Sequence, residues 1–134
     1  MKTTIYLVAT LIVSSLLFSF TGYQKKPWDA PDKYVKMTNP IKPDAESIKA
    51  GKALWTKHCQ SCHGKTGLGD GTKAAQLDTE VGDLTATDAQ KQSDGSLFYK
   101  ISEGRDEMPT FKKKIPDEDE IWQVVNYVRS LKAK

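Results

Sequence analysis

Cysteine is nearly missing from this chain: 134 residues hold only two, Cys59 and Cys62. A disulfide-built scaffold, which needs several pairs, is therefore excluded. Histidine is equally sparse, with His58 and His63 alone. A closed zinc site wants four ligands, and His58, directly beside Cys59, is poorly placed to complete a tetrahedron. Neither charge dominates, since 20 basic and 17 acidic residues leave +3. That near-balance speaks against a nucleic-acid partner and against a general binder of membrane surfaces. The one long apolar run, residues 5–20, falls short of the roughly 20 residues that span a bilayer. There is no internal repeat and no strand pattern to match the helical ones. The chain has room for one small domain and little more.

Within that frame stands Cys59-Gln60-Ser61-Cys62-His63. A Cys-x-x-Cys pair of the redox-dithiol kind sits near a strand–helix–strand pattern, and no strand-rich region precedes this one. The pentapeptide instead reads as a covalent attachment site for a c-type haem. Two thiols add to the two haem vinyl groups as thioethers, and the next residue supplies an axial imidazole. On a helical turn Cys59, Cys62 and His63 are spaced i, i+3 and i+4, so their side chains leave one face. Both cysteines are then used, and no disulfide supports the fold. A domain of about 90 residues has a marginal core, which an apolar porphyrin would complete.

Residues 1–22 have the layout of an export signal: Lys2, an uncharged apolar stretch through Phe20, then Thr21 and Gly22. Cleavage after the stretch is favoured over an uncleaved anchor through residues 5–20, although no Ala-x-Ala marks the site. Either outcome places the rest of the chain in the periplasm or on the outer face of the cytoplasmic membrane. Residues 23–43 carry four of the six prolines and read as a linker or strap, with Trp28, Tyr34 and Met37 as its anchors. Residues 44–134 form the domain proper.

Three helices are legible there. The first begins at an Asp44 cap, places Ala45, Ile48, Leu54 and Trp55 near one stripe, and runs to about His58. The second starts at Asp94 or Ser96, turns Leu97, Phe98 and Ile101 inward, and stops at Gly104. In the third, Asp117 caps and Glu120 returns the bond three residues on. Ile121, Trp122, Val124, Val125, Val128 and Leu131 make its buried stripe. Between the last two lies Met108, whose following Pro109 disfavours the α region. An extended loop able to point inward makes its thioether the natural sixth ligand opposite His63.

Residues 44–131 resemble a mono-haem class I cytochrome c. A helix ending in Cys-x-x-Cys-His leads into a glycine-rich loop, a second helix, a Met-Pro-x-Phe loop and an aromatic last helix. The resemblance implies an all-α fold of three to five helices around one haem c, held by Cys59 and Cys62 with His63 and Met108 as axial ligands. It puts Gly51 where the first and last helices cross, with Trp122 and Tyr127 as aromatic partners. It also implies that a carbonyl of the loop 64–71 accepts from Nδ1 of His63, although the proline usual after that histidine is lacking. Gly82-Asp83-Leu84-Thr85 resembles a segment closing over the haem edge.

A six-coordinate His/Met iron has no vacant position, which suits one-electron transfer rather than substrate turnover. The chain is expected to be an electron-transfer protein and not an enzyme, a carrier between a membrane donor complex and a terminal oxidase or reductase. A fixed subunit of a larger respiratory complex is the main alternative, and a five-coordinate gas-binding or peroxidase-like haem protein a more distant one. Lys112, Lys113 and Lys114 follow the methionine loop as a basic cluster suited to an acidic partner.

Overall fold

The computed structural model describes residues 27–132. The expected signal or anchor over 1–22, the first residues of the strap and Lys134 lie outside the described residues. In chain order the elements are α1 (Asp32–Val35), α2 (Ala45–His58), α3 (Gln60–His63), a 3-10 turn (Ala74–Gln76), α4 (Thr87–Gln90), α5 (Asp94–Glu103) and α6 (Glu118–Ser130). Of the α-helices, α1, α3 and α4 are single turns. Among the described residues the only strand-like pairing is an isolated antiparallel bridge between Arg105 and Met108.

The caps explain where the long helices start. Asp44 accepts from the Ser47 amide at 2.9 Å, and this bond holds its carboxyl below the usual carboxylate range. Ser93 accepts from the Ser96 amide at 3.2 Å and opens α5. Gly104 closes α5 at φ 67°, a left-handed value that glycine adopts without strain. Asp117 caps α6 through Asp119, at 2.9 Å, not through the amide of Glu120 that the expected reciprocal pair would use.

Helices α2 and α6 meet at backbone distance. A Cβ added to Gly51 would lie 2.0 Å from the Gln123 carbonyl oxygen and 3.0 Å from Cβ of Tyr127. Beside this crossing the Trp55 and Tyr127 rings sit 5.5 Å apart. Trp122 does not join them. It stacks on Phe98 of α5, with centroids 4.3 Å apart and planes at 21°. The core is thus Trp55, Cys59, Leu97, Phe98, Ile101, Phe111, Ile115 and the inner face of α6, with Leu84, Met108 and Leu131 packed against it.

The strap is integral to this body. Tyr34 packs on Tyr99 at 4.8 Å. Asn126, 4% exposed, donates to the carbonyls of Ile41 and Lys42 and to Ser47 Oγ, and accepts from Asn39 at 2.8 Å. At the other end of α6, Arg129 donates to Asp94 at 2.7 Å and to the Gln90 carbonyl at 2.6 Å.

Candidate functional site

Helix α2 passes into α3 through Cys59 with little break. The Cys59 amide donates to Trp55 at 2.8 Å, and the Cys59 carbonyl accepts from Cys62 at 3.2 Å and His63 at 3.0 Å. Cys59, Cys62 and His63 therefore share one helical turn. Cys59 is buried in the core, and its burial pushes the thiol up to about 12. At neutral pH it is a protonated thiol, the form that resists oxidation. Burial likewise holds the His63 imidazole below its ordinary range. It is neutral at pH 7, which is the ligating form.

The glycine-rich loop folds back onto this turn and binds it by the backbone. Gly69 donates to His63 O at 3.0 Å, Gly71 to Cys62 O at 3.1 Å and Lys73 to Ser61 O at 2.8 Å. The approach is close: a Cβ on Gly71 would stand 2.4 Å from Ser61 O. Above the turn, Trp55 Nε1 donates to Gly64 O at 3.1 Å, and its ring lies 5.5 Å from that of His63. The segment 82–85 joins through Leu84, whose amide donates to Gly67 O at 2.7 Å.

One expectation fails here. Nδ1 of His63 is buried with no hydrogen-bond partner, so no loop carbonyl accepts from it. The loop faces the turn with its amides, and the carbonyls of Gly64 and Gly67 are taken by Trp55 and Leu84.

Met108 lies in the turn between α5 and Phe111. Its amide donates to Arg105 O and its carbonyl accepts from Arg105 N, both at 2.9 Å. Beyond it the chain returns to the end of α5: Thr110 Oγ1 donates to Ser102 O at 2.6 Å, and Phe111 N to the same carbonyl at 3.1 Å. Half-buried Met108 packs against the core that contains Cys59. Met37 lies elsewhere. With Tyr34, Phe98 and Ile121 it borders an open cavity of about 300 Å³ whose lining includes neither Met108 nor any residue of the Cys59–His63 turn.

Two of the three lysines have side-chain contacts of their own. Lys112 pairs with Glu103 at 2.6 Å, and the Lys114 ammonium stands 5.4 Å from the centroid of the Phe111 ring.

Two thiols and a neutral imidazole on one turn, with a thioether against the same core, are a donor set that fits a haem c. The orphaned Nδ1 marks the turn as polar machinery and not ordinary core. Sequence reading missed the ties of Arg105 and of Glu107, whose carboxylate accepts from Thr79 N at 2.7 Å; neither has a periodic signal.

Residues 46–128 match the family model of cytochrome c oxidase, cbb3-type, subunit III. Among solved structures, the chain is similar to one in the reducing HAO-like protein complex of Kuenenia stuttgartiensis. Identity is 27% and the TM-score 0.64, over 82% of this chain and 53% of that one. This chain thus spans about half of that neighbour's length. No curated protein matches. The matched span runs from the first turn of α2 through the Cys-x-x-Cys-His turn and the Met108 loop to α6. With its all-α body and its haem-directed electron-transfer chemistry, the chain belongs to the cbb3-type cytochrome c oxidase subunit III family, within the class I c-type cytochromes.

Proposed function

We propose that this chain carries one haem c, joined by thioethers to Cys59 and Cys62 and held axially by His63 and Met108, and passes single electrons between redox proteins outside the cytoplasmic membrane. The observation that carries this is the single helical turn presenting Cys59, Cys62 and His63, with Met108 packed on the same core. Bound there, the group supplies a one-electron ferric/ferrous couple. The protein's part is to hold its surroundings still. The loop amides fix the carbonyls of the turn, Trp55 braces the His63 ring, and the returning Thr110–Phe111 segment fixes the residues after Met108. A soft thioether opposite an imidazole favours the reduced iron and raises the potential relative to two imidazoles. The five-coordinate reading loses support for the same reason, because the Met108 turn is tied on both sides.

Replacing Met108 with alanine should leave the haem attached but convert ferric iron to a high-spin or water-ligated form. The potential should drop by on the order of hundreds of millivolts. Absorbance spectra and redox titration report both. Unchanged spectra would move the sixth ligand elsewhere, and haem removable by acid-acetone would end the thioether assignment.

The second reading is a fixed subunit of a larger redox assembly, docked through the strap or an N-terminal anchor. It is favoured by the match to an oxidase subunit and by a structural neighbour that belongs to a complex. Mass measurement on membrane and soluble fractions separates the two, since a diffusing carrier is recovered alone and soluble.

A further inference from the structure

The first described residues of the strap lie on the turn that holds Met108. Arg105 Nη1 donates to Pro27 O at 3.2 Å, and the same guanidinium lies 4.7 Å from the centroid of the Trp28 ring. On the indole also rests Lys100 of α5, its ammonium 5.4 Å from the centroid. Arg105 in turn makes both backbone bonds to Met108. The turn between them is narrow: Asp106 sits at φ 53°, and a Cβ on Gly104 would meet Met108 O at 2.3 Å. Across the turn, Glu107 is fixed by Thr79 N. The Met108 turn is therefore held from one side by the loop 77–82 and from the other by residues that precede the haem domain in sequence.

We infer that Pro27 and Trp28 are positioning residues for the axial methionine, clamping its turn through Arg105 and so setting how readily the thioether leaves the iron. This rests on the reading that Met108 is the sixth ligand. With Met108 as sixth ligand, an outside ligand would have to displace its thioether, and a displacement that moves the turn would have to part Arg105 from Met108 or carry the turn off the strap. With the clamp in place the second route costs a cation–π contact and a hydrogen bond.

The experiment is imidazole binding to the ferric full-length holoprotein, followed by rate and by loss of the long-wavelength methionine–iron charge-transfer band. Trp28→Ala should bind imidazole about two- to fivefold faster, the scale of losing one exposed cation–π contact while the bond to the Pro27 carbonyl is left in place. Trp28→Phe should restore most of the wild-type rate, because a ring face is again present. Tyr34→Ala loosens the strap at Tyr99 without touching the turn and should leave the rate unchanged. If Trp28→Ala does not accumulate as holoprotein, Arg105→Gln is read in the same way. A wild-type rate in Trp28→Ala, or an equal acceleration in Tyr34→Ala, overturns the clamp and leaves Met108 as ligand. A wild-type protein that lacks the methionine–iron band and binds imidazole as fast as Met108→Ala overturns the ligand reading itself.

Discussion

An alanine at position 51 would place its Cβ 2.0 Å from the Gln123 carbonyl oxygen, backbone against side chain, with no flexible group able to yield. In an exposed helix interior the exchange of glycine for alanine gains about 1 kcal/mol. Here the sign reverses, because α2 and α6 must separate and the Trp55–Tyr127 contact must open with them. Gly51→Ala should destabilise the protein by about 1–3 kcal/mol, the usual scale of overpacking, read as a lower denaturant midpoint at constant m. A gain in stability would mean that the helices do not touch at this point. His63 shows the opposite kind of residue effect, where what matters is the missing contact at Nδ1.

Among the elements, the strap changes most in meaning between sequence and structure. Its single helical turn packs on α5, and its last residues are tied to α6 through one buried amide. Asn126→Leu would fill the space but take the donor from the Ile41 carbonyl and one of several partners from the Lys42 carbonyl, Ser47 Oγ and the Asn39 amide. The cost should be about 1–3 kcal/mol, and amide hydrogen exchange at Ile41 should accelerate ahead of the core. Equal acceleration across strap and core would show that Asn126 is not what ties them. The long helices were legible because caps and apolar stripes are local signals: Asp44, Ser96 and Asp117 stand at or within three residues of the observed starts. The turn of Cys59 and His63 was legible for the same reason. Asn39, Arg105 and Arg129 were not, since a polar residue bonded to a partner tens of positions away carries no periodicity. Trp122 was misplaced because an aromatic on a known stripe does not declare which neighbour it will stack on.

For the whole molecule, the two histidines contribute to the acid side of stability, beside the hydrogen-bonded carboxylates of Asp44, Asp83 and Glu107 that are held below their usual range. His58 is held below its ordinary value of 6.5 by burial first, then by Lys57 and Lys114, with Glu120 opposing. His63 is held below the same value by burial. In the window below 6.5 the unfolded chain therefore binds more protons than the folded one. Stability is fully present above that value and falls as pH drops through the lowered folded-state values. The denaturant midpoint should be lower at about pH 5 than at about pH 7.5, and His58→Leu should flatten part of the slope. A midpoint that rises toward acid would contradict the burial of both rings. The pairing of α2 with α6 has a consequence in time. The two helices that close the core stand at opposite ends of the domain, with the Cys59–His63 turn at the end of the first. A chain that emerges amino terminus first shows both thiols long before α6 exists to cover α2. Chain order thus opens an interval in which the cysteines are exposed to whatever modifies them, and the arrival of the last helix ends it.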